Sequence, residues 1–387
     1  MRISISGVIF LGLAHAINHS FLLAIPVLLP QIASFLHVSI YDMGYVTSLA
    51  YFLYGFGSIF AGPLSKRFSS RRLVFFSLLF SGLSLIPLLL YVNVYVFTLS
   101  LALNSLFASI YHPIANKLIS EDYCGSVGRV MGLHGLGGSL GSVIVPMLSI
   151  TISQIFDWRF SLMFLGFLSM ILSMAFITGG SKPLHIETSS LSVGFPYDRV
   201  KWIILFSISI GLFSRGFELF LPSLLISRGF DQLYAAMAMS LLLLSGVFGQ
   251  IFGGFFADVK GSLKALILSF TFVPISLIFI VFGHWNIYLS LLGVVLYGFS
   301  FYAHQPPSTK IQSELVDASL TGYVYGLFFF INFSLGSVSS SITGFLAGVY
   351  DLEIAYIFLT ALTVLSLSIV IVMYFVYSKL FMEKRYM

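Results

Sequence analysis

Long apolar stretches separated by short polar turns run through the whole chain. Each stretch holds enough apolar residues, roughly 20, to cross a bilayer as a helix. We expect these spans to be helical, because lipid cannot satisfy unpaired backbone groups. The pattern predicts twelve spans, at about 7–34, 43–64, 73–91, 94–118, 127–153, 159–178, 201–226, 232–257, 265–283, 286–309, 321–348 and 353–377.

Composition and charge place the chain in a membrane. Of its 387 residues, 58% are hydrophobic and 9% are charged, whereas soluble domains carry about 25% charge. All but three of the 19 Lys and Arg residues fall on one side of the predicted spans, the exceptions being Arg159, Arg215 and Arg228. This asymmetry predicts a multi-pass protein of the cytoplasmic membrane with both termini in the cytoplasm. The net charge of +5 is therefore a topology signal, and we expect no nucleic-acid partner.

The chain repeats itself at an offset of about 192–196 residues. GPLSKRFSSRR, from Gly62, follows the second span, and GFFADVKGSLK, from Gly254, follows the eighth. AIPVLLP pairs with FLPSLLI, SIYHPIANK with FYAHQPPSTK, and LGSV occurs in both halves. We therefore predict a six-helix bundle over 1–178, a cytoplasmic linker over 179–200 and a second bundle over 201–387. Parallel six-span repeats are one layout of secondary transporters, whose substrate sites lie at the repeat interface.

These features resemble the major facilitator superfamily, and the resemblance covers nearly the whole chain. The two turns are similar to the family's G-x-L-x-D-R-x-G-R-R pattern. Within the superfamily, HAINHSFLLAIPVLLP, SIYHPIANK and GLHGLGGSLGSVIVP look most like the fosmidomycin-resistance type of efflux permease. The resemblance implies the fold of that superfamily, an all-α membrane protein with twelve transmembrane helices in two six-helix pseudo-repeats.

The resemblance also implies that the two turns latch neighbouring helices during the transport cycle. Asp258 matches the acid of the family pattern in the second half, but Lys66 stands at that place in the first half, and Ser69 replaces a glycine. We therefore expect the latch to depend more on Asp258 than on a symmetric pair. The latch candidates are Gly62, Arg67, Arg71, Gly254, Asp258 and Gly261.

Arg215 and Glu218 lie three residues apart in the seventh span, so they share a helix face. Ionisable groups inside a membrane are expensive to bury and mark functional sites by default. In the functional interpretation, Glu218 is a proton or cation site and Arg215 binds an anion. In the alternative, the pair neutralises itself near the helix end and reaches toward water.

Five histidines fall inside predicted spans: His15, His19, His112, His134 and His304. His15, Asn18 and His19 share a face of the first span, and His112 and His304 are at roughly equivalent places in the repeat. Such histidines could exchange protons, bind a transition metal, or serve as neutral packing residues. We predict no metal site, because no carboxylate or cysteine accompanies them at ligand spacing.

Uncharged polar residues add candidates for substrate contact, namely Tyr111, Gln305 and Asn332. Pro113 and Pro306 are expected to break helices beside His112 and His304, as happens near transporter binding sites.

The leading functional hypothesis is a secondary active transporter that works by alternating access. The fosmidomycin-type resemblance implies proton-coupled export of a small drug-like or amphipathic compound. Proton-coupled uptake of a small organic anion or nutrient is the main alternative; a metal-ion permease and a non-transporting membrane sensor are weaker ones. No nucleophile–base group and no nucleotide-binding loop occurs in the sequence, so we predict neither enzyme activity nor a cofactor. The expected partners are the substrate, protons and the lipid bilayer, and a monomer is the simplest expectation.

Overall fold

The structure, a computed structural model, describes residues 5–123, 125–177, 196–317 and 320–383. Its regular elements within these ranges are all helical. The α-helices are α1 (Ile5–Leu36), α2 (Met43–Gly57), α3 (Ala61–Ser65), α4 (Ser70–Leu83), α5 (Pro87–Leu90), α6 (Val94–Ala108), α7 (Tyr111–Asp122), α8 (Val127–Ile155), α9 (Trp158–Met174), α10 (Tyr197–Ser227), α11 (Gln232–Lys260), α12 (Ser262–Phe282), α13 (Ile287–Ala303), α14 (Gln305–Glu314), α15 (Thr321–Phe330), α16 (Ser337–Val349) and α17 (Leu352–Glu383).

The predicted all-helical membrane fold is confirmed. In the described residues, 10 helical stretches are long and apolar enough to cross a membrane. The other two predicted spans are also helical, but they are shorter or interrupted. The second consists of α2, a 3-10 turn at Ser58–Phe60 and α3, and the sixth is α9, with 17 residues.

Prolines break two helices at the places that the sequence predicts. α6 ends at Ala108 and α7 begins at Tyr111, just before Pro113. α13 ends at Ala303 and α14 begins at Gln305, just before Pro306. Proline lacks the backbone N–H and its ring collides with the carbonyl four residues earlier, so the preceding turn opens.

The interruption of the eleventh span was not predicted. Between α15 and α16, residues Ile331–Leu335 form a π-helical turn. Segments of this kind are rare and frequently occur at functional sites. Asn332, one of the predicted contact residues, lies within this turn and so is not part of the regular helix on either side.

Helix caps give independent support for the internal repeat. The side chain of Asn93 caps α6 by accepting a hydrogen bond from the backbone N–H of Val96, at 2.9 Å. Asn286, 193 residues later in the sequence, caps α13 by accepting from the N–H of Tyr288, also at 2.9 Å. Asparagine is among the preferred residues at this position, and the two halves use it at equivalent helix starts.

Backbone contacts group the chain into two compact units. Of the described residues, the first unit contains 5–123, 125–177 and 221–240, and the second contains 196–220, 241–317 and 320–383. Residues 221–240, the end of α10 and the start of α11, thus group with the first unit. Most of the predicted linker 179–200 and Cys124 lie outside the described residues, although α10 already begins at Tyr197.

Glycines bring α1 and α8 together in the first unit, where these helices form an extensive contact. A Cβ atom on Gly137 would lie 2.7 Å from the carbonyl oxygen of Gly12, and one on Gly141 would lie 2.7 Å from the Cα of Ala16. Small residues at this spacing let membrane helices approach closely. These contacts give Gly137 and Gly141 a role in helix packing.

Candidate functional site

Four histidines from three helices meet inside the first unit. His15 and His19 come from α1, His112 from the first turn of α7, and His134 from α8. The Nε2 atoms of His15 and His19 are 3.1 Å apart. The ring of His112 lies edge-on to that of His15, with 4.9 Å between centroids, and 4.8 Å from that of His19. The structure thus brings together residues that are up to 119 positions apart in the sequence.

Hydrogen bonds fix the tautomer of two of these rings. His15 Nδ1 lies 2.8 Å from the backbone carbonyl of His134, so it carries the proton and donates it, which leaves a lone pair on Nε2. The Tyr111 hydroxyl donates to the carbonyl of Leu11 at 2.9 Å and therefore accepts from His134 Nε2, at 3.2 Å. Tyr111 thus orients His134, whose ring stacks on that of His15 at 4.2 Å.

Asn18 lies beside this cluster and is hydrogen-bonded at both of its side-chain polar atoms. Its amide nitrogen donates to the carbonyl of Ala108 at 2.8 Å, and its carbonyl oxygen accepts from the hydroxyl of Tyr54 at 2.7 Å. The first of these bonds ties α1 to the end of α6, directly before the proline break that positions His112. Asn18 is buried, so the contacts favour a positioning role for it.

A second polar group lies in the second unit, around the predicted pair on α10. Arg215 Nη1 donates to Glu218 Oε2 at 3.0 Å, and the hydroxyl of Tyr302 on α13 donates to Glu218 Oε1 at 3.2 Å. The Glu218 side chain is 7% exposed and that of Arg215 is 21% exposed. The Glu218 side chain is therefore buried among protein side chains, whereas that of Arg215 is partly exposed, and the two charges neutralise each other.

The π-helical turn contributes to the surroundings of this pair. The Arg215 guanidinium lies over the ring of Phe333, 4.2 Å from its centroid, which is a cation–π arrangement. Asn332 Oδ1 and the Tyr297 hydroxyl are buried without a hydrogen-bond partner among the described residues. Buried polar atoms are nearly always bonded, so these two atoms are exceptions.

His304 and Gln305 have surroundings different from those of the first-unit cluster. His304 Nδ1 donates to the carbonyl of Phe301 in the last turn of α13, and its ring lies among Phe206, Phe270 and Phe301. The contacts therefore favour a packing role for His304, although it is equivalent in the repeat to His112. Gln305 Oε1 accepts from Gln250 at 2.9 Å, a bond that ties α14 to α11.

The two turn motifs make different ion pairs. In the second half, Lys310 Nζ lies 2.8 Å from Asp258 Oδ1 and links α14 to the end of α11. In the first half, Lys66 stands where Asp258 is, and Lys117 lies instead 3.7 Å from Glu121 on its own helix. The first half has its own link between neighbouring helices, since Arg71 Nη2 lies 2.5 Å from Asp122. The asymmetry predicted from the sequence thus has a structural counterpart.

Backbone geometry explains why one turn keeps its glycine and the other does not. Gly261 has a φ of 95°, in the left-handed region that glycine enters without strain. Ser69, at the equivalent place, has a φ of −66° and needs no glycine. The other latch glycines are not crowded: a Cβ on Gly62 would meet nothing within 4 Å, and one on Gly254 would lie 3.6 Å from Pro306. Arg67 lines an apolar cavity of about 470 Å³ beside α6.

Several residues of these groups were missed at the sequence level. The predicted site residues are contacted by Tyr54, Tyr302 and Phe333. Tyrosine and phenylalanine are abundant in this chain and carry no signal of their own. Tyr302 could have been found, because it lies two residues before His304 in a segment that repeats. The π-helical turn that carries Phe333 has no recognisable sequence pattern here.

Comparison with known proteins gives distant relatives that are described as transporters. The chain is 24% identical over 330 residues to an uncharacterized transporter of Buchnera aphidicola, covering 82% of this chain and 78% of that protein. It is 23% identical over 299 residues to the fujikurins efflux protein of Gibberella fujikuroi, covering 74% of this chain and 58% of that one.

Solved structures share the fold at low sequence identity. A bacterial homologue of the human lysosomal transporter Spinster matches with a TM-score of 0.81 and 13% identity, over 96% of this chain and 97% of that chain. A D-xylose–proton symporter matches with a TM-score of 0.79 and 14% identity, over 95% of this chain and 96% of that chain. The family model of the Major Facilitator Superfamily matches residues 8–341. The chain therefore belongs to the Major Facilitator Superfamily.

Proposed function

We propose that this protein is a proton-coupled secondary transporter in which Glu218 carries the proton. The observation that supports this is the buried pair of Arg215 and Glu218, joined by the Tyr302 hydroxyl. Ionisable side chains within membrane spans mark ion pathways and proton relays. Among the described groups of the second unit, this carboxylate combines burial with two donors that respond to its charge.

The same contacts suggest how proton and substrate are coupled. While Glu218 is ionised, its carboxylate forms an ion pair with the Arg215 guanidinium. In antiport, a donor group of the substrate would compete with the proton for Glu218. In symport, protonation would remove the negative charge and make Arg215 available to an anionic or strongly polar group of the substrate. The unbonded atoms of Asn332 and Tyr297 offer further polar contacts, and the face of Phe333 offers an apolar one. The substrate class that fits is therefore a small molecule with one polar or anionic end and an apolar body.

For direction, we propose export in exchange for protons, by alternating access. The fosmidomycin-type resemblance supports it, and so does the similarity to an efflux protein. Uptake of an organic anion together with a proton is a second candidate, which is favoured by the position of Arg215, because protonation of Glu218 and anion binding would then assist each other.

Proteoliposomes with a trapped pH-sensitive dye test the proposal. Compounds are first screened for their ability to raise the thermal stability of the purified protein. A concentration gradient of each hit is then imposed across the vesicle membrane. Antiport predicts proton movement opposite to the substrate, whereas symport predicts movement in the same direction. We expect Glu218→Gln to retain exchange of substrate across the membrane but to lose accumulation driven by a pH gradient.

Glu314→Gln is the matched control, because it makes the same change at an exposed residue at the end of α14. It should accumulate substrate like the unchanged protein. If Glu218→Gln also accumulates substrate normally, Glu218 is not the proton carrier. If none of the hits moves under any imposed gradient, the transport function itself is not supported.

A further inference from the structure

We infer that His15, His19 and His112 form a binding site for one divalent transition-metal ion, with Zn²⁺ as the representative ion. Each residue offers one ring nitrogen, and the three atoms lie within 4.8 Å of one another. From the sequence, no metal site is expected, because no carboxylate or cysteine accompanies these histidines at ligand spacing. The fold changes this expectation, because it adds a third imidazole from α7 to the pair on α1.

The spacing of the nitrogens is close to that of a metal site. Zinc–nitrogen bonds of about 2.0–2.1 Å in a tetrahedral arrangement place ligand nitrogens roughly 3.3 Å apart. His15 Nε2 and His19 Nε2 already lie 3.1 Å apart. The three nitrogens lie within 4.8 Å of one another, so the His112 ring must move by up to about 1.5 Å to complete the triangle, which a side-chain rotation provides.

The hydrogen bond made by His15 Nδ1 also supports a metal site. Metal-binding histidines almost always donate their other ring N–H to a carboxylate, a backbone carbonyl or water, which fixes the tautomer and the ring direction. His15 Nδ1 makes such a bond to the His134 carbonyl, so its Nε2 lone pair points at His19. His134 supports the ring further by stacking on it. His134 therefore acts as a positioning residue for the first ligand.

The chemistry of the ligands selects the ion. Neutral imidazole suits zinc, copper and nickel, whereas magnesium and calcium prefer oxygen ligands. Three histidines leave at least one coordination position for water or an anion, as in zinc sites that bind exchangeable ligands. The three histidines are half-buried, so small ligands can reach this position. An anion there would also offset the charge of the ion, which the three neutral imidazoles cannot do.

Metal binding is measured on purified protein and does not depend on the proposed transport function. The protein is prepared without a polyhistidine tag, and the three histidines outside the predicted spans, His37, His185 and His284, are changed to Asn in every sample. Titration calorimetry with Zn²⁺ should give one ion per chain. Co²⁺ is used as a coloured substitute. Bound Co²⁺ of low coordination number should give a visible absorption band, and this band should disappear when Zn²⁺ displaces the Co²⁺.

Variants assign the site. His19→Ala should weaken Zn²⁺ binding by at least about 100-fold and abolish the Co²⁺ band, since a ligand matters at least as much as its supporting residues. His304→Ala, which removes an intramembrane histidine outside the cluster, should bind Zn²⁺ normally. His19→Gln serves in place of His19→Ala if the latter does not purify as folded protein.

A glycine substitution tests the positioning of His15 without removing a ligand. A Cβ on Gly138 would lie 2.6 Å from His15 Cγ, whereas one on Gly135 would meet nothing within 4 Å. Gly138→Ala should therefore weaken Zn²⁺ binding at least tenfold, roughly as loss of a supporting residue does, and Gly135→Ala should not. The inference is overturned if the tag-free protein binds no Zn²⁺, or if His19→Ala and His19→Gln bind it with unchanged affinity.

Discussion

Several buried polar side chains in this protein are held in bonded groups, and the group decides what each of these residues can do. Glu218 shows this most directly, because its two oxygens accept from Arg215 and from Tyr302. A buried charge that loses its partner keeps its desolvation penalty, whereas a pair that is removed together does not. Arg215 and Glu218 should therefore respond to substitution as a unit.

This coupling gives a stability prediction at the residue scale. Arg215→Met should lower the free energy of unfolding by about 3–5 kcal/mol, because it leaves the Glu218 carboxylate buried and unpaired. Adding Glu218→Gln should recover most of that loss. Thermal unfolding of the purified protein measures both effects.

Arg159→Met is a control of the same type, since Arg159 pairs with Asp157 at a partly exposed helix start. Pairs of that kind contribute about 0–1 kcal/mol, so a small effect is expected. If the double variant is no more stable than Arg215→Met alone, the pair is not held together by the electrostatics described here.

At the scale of helices, local sequence and backbone geometry decide where an element starts and breaks. The prolines after His112 and His304 open their helices as predicted. The break at Ile331–Leu335 has no such cause in the sequence, and it depends on how the helix packs within the second unit. The turns before α4 and α12 occupy equivalent places in the repeat, yet only one of them needs a glycine.

Exchanging the residues at these two positions, Gly261 and Ser69, tests the difference between the turns. Gly261→Ser forces a side chain into the left-handed region and should cost about 1–2 kcal/mol, seen as a lower midpoint of thermal unfolding. The reciprocal change, Ser69→Gly, should cost only a few tenths of a kcal/mol, since both residues serve at a helix start. Equal effects of the two substitutions would contradict the backbone explanation.

At the scale of the whole molecule, the charge asymmetry predicts which loops face the cytoplasm. The loop that contains Lys66 should be inside, and the loop that contains Tyr91 should be outside. Replacing the single cysteine, Cys124, by serine gives a background for labelling with a membrane-impermeant maleimide. Lys66→Cys should react only in inverted vesicles, and Tyr91→Cys only from outside intact cells. Both positions are exposed, so labelling from one and the same side would refute the predicted topology.

The sequence by itself determined the membrane class, the twelve helical spans, the internal repeat and the superfamily. Each of these depends on features that are local or periodic along the chain: runs of apolar residues, charges in loops, and motifs repeated at a constant offset. It also identified Arg215, Glu218 and the histidines as unusual, because a polar residue in an apolar span stands out without knowledge of its neighbours.

Only the tertiary structure decided which of these residues act together. His15 and His19 could be paired from helical spacing. His134 joins them because glycines let α1 and α8 approach closely, and His112 joins them because the start of α7 lies beside α1. The same reasoning applies to Tyr302 and Phe333, which reach Arg215 and Glu218 from other helices. Contacts between distant segments depend on packing across helices, and one-dimensional periodicity does not contain that information.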